Sequence, residues 1–374
     1  MPDFLHDKSE KKVQYLELVY DLIFVYLVSR NGDLLHVESG FITASRFLTY
    51  LASTVVILQI WFESTQFINR YGDGSTRMYI GLFVNMYLLY YMADGIVADW
   101  GAYFFRYGAA WTLILLNLAA QYALLLRLRP DAAETERRHA RAHMIVLLVD
   151  AVVVAATIPI YLLTGAALTP VALVIAFAAT ALTHRIDAQV PADFPHLAER
   201  VMLYIVFTFG EMILAIAGYF SGEFSAGTLY YSLMAFLIVA GLFLGYGYYY
   251  EHLLNSETQT TGTLYMLLHI VMVLALNNIT AGLALMRDPD VAAVPKNILL
   301  VGSFVVYFVC LLMTQRYAVR RVAERRFYGQ AAVCFAVYCG VMALVYRYGA
   351  VSILVSVAFI YMQLYALRHA GTEK

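Results

Sequence analysis

The chain has 374 residues, of which 62% are hydrophobic and 14% charged, with a mean hydropathy of +0.69. Soluble domains are about a quarter charged, so this chain cannot cover a water-facing surface and reads as an all-α polytopic integral membrane protein. A formal net charge of −1 leaves no basic face for a nucleic acid.

The opening MPDFLHDKSEKK is charged, and no short apolar run with a small-residue cleavage site follows it, so the first apolar segment is expected to stay in the protein. Runs of about 20 apolar residues cross a bilayer as helices. Twelve are predicted, over 13–33, 42–68, 77–97, 104–127, 143–163, 168–186, 199–219, 227–250, 262–286, 297–316, 328–346 and 350–368. With the N-terminus placed inside, 19 of the 25 lysines and arginines fall on the inner side, as cytoplasmic loops require. Both termini are then cytoplasmic. The two most basic loops, RLRPDAAETERRHARAH and QRYAVRRVAERR, follow spans four and ten. Their six-span separation predicts two six-helix pseudo-repeats, residues 1–190 and 191–374, in the same orientation about an axis along the membrane normal.

Charged side chains at bilayer depth cost about 2.5 kcal/mol or more each, which makes every one a functional candidate. In span one, YLELVYDLIFVYLVSR puts Glu17 and Asp21 one helical turn apart on one face. Two like charges so close must be paired, protonated or wetted. Arg70 at the end of span two, or Arg200 of span seven, is expected to pair with them, although Glu17 could instead serve the helix N-terminus electrostatically. Arg30, Asp33 and His36 mark the outer end of the span as interfacial. Asn85 and Asp94 in span three, Asn117 in span four and Asp150 in span five are further polar groups at depth, and the two asparagines are expected to hydrogen-bond between helices.

Span seven, HLAERVMLYIVFTFGEMILAIAG, begins with His196, Glu199 and Arg200. Glu211 follows Glu199 by twelve residues, about 18 Å along the axis. Gly210 beside it is expected to allow close helix approach or a local backbone break. Gly241 and Gly245 of span eight have the small-xxx-small spacing of packed helices, and Glu251 and His252 close that span. In span nine stand His269, Asn277 and Asn278; the two adjacent asparagines are expected to face different directions. Glu211, too far outward for the arginines, is expected to face His269 or Asn277 and to carry a proton. Cys310, Cys334 and Cys339 show neither metal-ligand spacing nor a disulfide framework and are expected to be buried apolar residues.

These residues carry a family likeness. LELVYDLIFVYLVSR resembles the opening acidic motif of the bacterial low-temperature-requirement A (LtrA) family, HLAERVMLYIVFTFGEMILAI resembles its H-ER-GE segment, and Trp61, Asn69 and Arg70 resemble its W…NR motif. The likeness spans most of the chain and falls on Glu17, Asp21, Phe24, Val25, Asn69, Arg70, His196, Glu199, Arg200, Gly210 and Glu211. The chain departs from the family at Val19 and Tyr20, and at Met212, where the family has Ser. The resemblance implies a multi-pass protein of a bacterial cytoplasmic membrane that supports growth at low temperature, and it names no reaction.

No Gly-rich phosphate loop, HExxH pairing, GxSxG signature or TVGYG filter is present. No catalytic residue, metal site or cofactor is therefore expected. The leading reading is a solute or ion transporter or channel, proton- or cation-linked, with Glu17, Asp21, Asn69, Arg70, His196, Glu199, Arg200, Glu211, His269 and Asn277 as pathway candidates. The alternative is a non-transporting lipid-handling, sensor or assembly protein, with an intramembrane enzyme third. Expected partners are membrane lipids and an unknown small solute or ion, with self-association left open.

Overall fold

The computed structural model describes residues 12–35, 43–94, 100–220, 224–286, 291–319 and 325–370. His36 lies outside these residues, as does the side chain of Asp94. Among the described residues the chain forms twelve α-helices: α1 (Tyr15–Gly32), α2 (Ala44–Tyr71), α3 (Thr76–Asp94), α4 (Trp100–Leu128), α5 (Glu134–Thr164), α6 (Thr169–Asp187), α7 (Phe194–Ile216), α8 (Ala226–Tyr248), α9 (Thr263–Met286), α10 (Ala293–Thr314), α11 (Arg325–Val345) and α12 (Gly349–Ala370). Each answers to one predicted span. Ten are long and apolar enough to cross a membrane. The other two carry the polar load: α1 holds Glu17, Asp21 and Arg30, and tyrosines and Asn85 dilute α3.

Helix starts follow local chemistry. Thr43, Asp193 and Ser225 each cap a helix by accepting a backbone N–H of its first turn, from Arg46, His196 and Thr228. Pro170 and Pro195 stand in the first turns of α6 and α7, where the missing N–H is no loss. Gly165 ends α5 in the left-handed conformation, φ 71°, which costs a side-chain-bearing residue strain. The largest boundary difference is α5. It begins at Glu134, nine residues before the predicted span, because the charged RRHARAH stretch continues the helix.

α1 shows how the bundle sorts its faces. Tyr15, Val19, Leu22 and Tyr26 form one exposed stripe at three- and four-residue spacing. The opposite face, with Glu17, Asp21, Phe24, Val28 and Asn31, is buried against α2, α3, α7 and α9. α2 and α9 are the most enclosed spans, with 67% and 72% of their apolar windows buried, against 17% for α11. The centre of the molecule is therefore the meeting of α1, α2, α7 and α9, and the remaining helices present apolar side chains outward.

Asn117 Nδ2 donates to Asn85 Oδ1 at 2.7 Å, and Asn85 Nδ2 donates to Tyr20 Oη at 3.2 Å, the interhelical bonding expected of both asparagines. Two small-residue expectations change. The position of a Cβ on Gly241 falls 2.6 Å from Ile360 of α12, so this glycine permits close packing, whereas nothing lies within 4 Å at Gly245. Of the three cysteines only Cys310 is buried; Cys334 is half-buried and Cys339 exposed, since α11 lies at the periphery.

Candidate functional site

α1 and α7 begin, and α2 ends, at the same end of the bundle, and there they bring their charges together. Glu17, Asp21 and Arg200 have no exposed surface. Arg200 donates through Nε to Asp21 Oδ2 at 3.0 Å and through Nη2 to Asp21 Oδ1 at 2.7 Å, a two-pronged geometry suited to the planar guanidinium. Its Nη1 lies 3.3 Å from Glu17 Oε2. From α2, Trp61 Nε1 donates to Asp21 Oδ1 at 2.9 Å, and its ring stacks on Tyr204 with centroids 4.6 Å apart.

Glu17 has two roles. Its Oε1 accepts the Gln14 N–H at 3.5 Å, serving the start of α1, and its Oε2 lies 3.4 Å from His196 Nε2. Asn69 orients that histidine. The Asn69 amide accepts from the Asp193 N–H at 3.0 Å and donates to the Asp193 carbonyl at 2.8 Å. Its remaining Nδ2 proton goes to His196 Nδ1 at 3.1 Å. This bonding assigns the ring proton to Nε2, facing Glu17.

The other expected residues lie elsewhere. Arg70 does not reach the acid pair. It donates to the Val190 and Thr261 carbonyls, each at 2.9 Å, and to the Gln66 side chain, and so ties down the connections before α7 and α9. Glu199 turns to the chain start and accepts the Val13 N–H at 3.4 Å. Glu211 is half-buried and makes no hydrogen bond or ion pair among the described residues.

The partners expected for Glu211 make their hydrogen bonds elsewhere, and His269 Nε2 has no hydrogen-bond partner among the described residues. His269 Nδ1 donates to the Tyr265 carbonyl at 2.7 Å. Asn277 donates to Tyr50 Oη at 2.8 Å, and Tyr50 Oη donates to Asn278 at 2.7 Å. The two adjacent asparagines thus converge on one hydroxyl, contrary to the expectation that they diverge. Gly210 is exposed with nothing within 4 Å of a Cβ, and α7 runs unbroken through it. It is neither a close approach nor a break.

Sequence reasoning missed a second constellation at the same end. A cavity of about 410 Å³ lies between α2, α6 and α9, with Gln59, Glu63, Thr180, His184 and Asp187 in its wall. Glu63 is 1% exposed; its Oε1 accepts from Thr180 Oγ1 at 3.1 Å, while Oε2 makes no hydrogen bond. Neither amide atom of the buried Gln59 has a hydrogen-bond partner among the described residues. Behind Glu63 stand His139 and His143 of α5, with stacked rings 4.4 Å apart. His143 Nε2 lies 2.9 Å and His139 Nε2 3.4 Å from Asp187 Oδ1. Asp150, also of α5, is buried with neither carboxylate oxygen hydrogen-bonded. The available signal was H-x3-H at the head of an apolar helix, hidden because RRHARAH reads as a basic loop.

The family model described as bacterial low temperature requirement A protein matches residues 12–361. No curated protein and no solved structure matches the chain.

Proposed function

We propose that this chain, which belongs to the bacterial low temperature requirement A family, is an integral membrane transport protein that moves a cation or a solute coupled to one. The observation that carries the reading is the 410 Å³ cavity whose wall holds the buried carboxylates of Glu63 and Asp187 within membrane-length helices. Buried acids in a membrane protein face a cavity or a partner because lipid cannot solvate them. Here the whole Gln59 amide is left for a bound species to satisfy, beside a Glu63 carboxylate whose Oε2 lies 3.9 Å from His143 Nδ1.

In this reading the sequence-derived candidates divide. Glu17, Asp21, Arg200, His196 and Asn69 form a fixed frame that holds α1, α2 and α7. The moving charge uses the cavity lined by Glu63. Both termini and the cavity mouth then face the cytoplasm. Two six-helix halves are supported by recurring neighbours: α1 packs on α2 and α3 as α7 packs on α8 and α9, and α2 meets α6 as α8 meets α12. Tyr107 of α4 donates to the Ser53 carbonyl of α2, and Tyr307 of α10 donates to the Leu242 carbonyl of α8.

The test is flux in proteoliposomes loaded with a pH-sensitive dye and challenged with a panel of mono- and divalent cations. Wild-type protein should carry at least one, and Glu63→Gln should abolish that flux while remaining folded. Unchanged flux in Glu63→Gln defeats the reading. A folded wild-type protein that carries none of them favours the non-transporting alternative, which the sealed Arg200 cluster supports.

A further inference from the structure

We propose that His139, His143 and Asp187 form a binding site for a borderline divalent transition-metal cation such as Zn²⁺. The site is independent of whether the protein transports anything.

Each of the three residues offers one ligand atom, and these atoms lie within 4.8 Å of one another. A tetrahedral cation with bonds near 2.1 Å holds its ligand atoms about 3.4 Å apart. His139 Nε2 is 3.4 Å from Asp187 Oδ1 and His143 Nε2 is 2.9 Å from it, so both histidine–carboxylate distances lie within about half an ångström of that spacing. The i, i+4 spacing puts both rings on one face of α5, and α6 supplies the carboxylate.

A cluster held together only by its own hydrogen bonds explains less. It accounts for His143 Nε2 bonding Asp187 at 2.9 Å, but it leaves His139 Nε2, on a side chain with no exposed surface, 3.4 Å from the same carboxylate oxygen without the alignment of a good hydrogen bond. The atoms behind the ligands match the outer layer of a metal site, where each ligand is oriented by a further group. His139 Nδ1 meets Tyr71 Oη at 2.8 Å. Asp187 Oδ2 accepts from Thr183 Oγ1 at 3.0 Å. His143 Nδ1 faces Glu63 Oε2 at 3.9 Å, so metal on Nε2 leaves Nδ1 protonated toward a carboxylate. Arg70 is directed elsewhere, to Gln66 and two backbone carbonyls. Asp187 also lines the cavity, which gives the ion an entry and an open position for water. Two imidazoles and one carboxylate suit Zn²⁺, Fe²⁺ or Ni²⁺ over Ca²⁺ or Mg²⁺, which prefer all-oxygen shells.

The experiment uses the full-length, tag-free protein in detergent, stripped with chelator. Zn²⁺ is titrated by calorimetry, and Co²⁺ is followed by its visible absorption. The expected result is one equivalent of Zn²⁺, a Co²⁺ spectrum of tetrahedral intensity displaced by Zn²⁺ and unaffected by excess Ca²⁺, affinity at least 100-fold weaker in His139→Ala and His143→Ala, and about 10-fold weaker in Thr183→Ala. If the histidine variants do not fold, the wild-type Co²⁺ spectrum with Thr183→Ala decides. Wild-type protein that binds neither ion at micromolar concentration, or folded histidine variants that bind both unchanged, overturns the site.

Discussion

Asp21 and Arg200, 179 residues apart in sequence, share two hydrogen bonds at 2.7 and 3.0 Å with neither side chain exposed. Removing one member of such a pair costs about 3–5 kcal/mol because the other charge stays buried and uncompensated. Arg200→Met should therefore lower the thermal unfolding temperature in detergent sharply. The triple variant Glu17→Gln, Asp21→Asn, Arg200→Met should recover most of the loss. A triple variant as unstable as the single one would mean that packing of the arginine, rather than its charge, holds the helices.

Asn69 makes three bonds across the α2–α7 contact, two to the Asp193 backbone and one to His196. Asn69→Ala leaves the His196 Nδ1 and Asp193 N–H groups unsatisfied, at about 1–3 kcal/mol. Amide exchange at Asp193 should accelerate together with the fall in unfolding temperature.

Glu17 of α1 and Glu211 of α7 should respond unequally to neutralisation. Glu17→Gln removes a buried charge from between His196 and Arg200 and should destabilise. Glu211→Gln touches no ion pair among the described residues and should stay within about 0.5 kcal/mol of wild type. Equal losses in parallel unfolding curves would count against this assignment.

The glycines offer a second contrast. Gly210→Ala meets nothing within 4 Å and should gain about 0.5–1 kcal/mol from the stiffer helix. Gly241→Ala must displace Ile360 and should lose stability. Unfolding temperatures of the two variants should straddle that of wild type.

Orientation is open to labelling. With the N-terminus inside, a cysteine at Ser225 should react with an impermeant reagent added outside, and one at Ala132 only after the membrane is opened. The reverse pattern would turn the molecule over.

The apolar helices were legible because spans of about 20 residues leave a compositional signature. That Glu17 and Asp21 need a counter-charge was legible too, since charge balance in lipid is a local demand. Choosing between Arg70 and Arg200 was not. Both stand at matching depth, and the choice rests on the Val190 and Thr261 carbonyls, which loop geometry delivers to Arg70. Glu63 was passed over within IWFESTQFINRYG because its companions come from α5 and α6, and a single sequence holds no record of which helices touch.

The distance in sequence between α1 and Arg200 has a consequence for synthesis. The first helix leaves the ribosome with two acids and reaches the lipid well before the chain bearing Arg200 has been made. Until then it has no Arg200 to settle against. A nascent chain ending at Asp187 should hold α1 loosely, with Gln14 open to protease or label, and one extended through Ile216 should lock it. The start of this protein is thus finished only when its second half arrives.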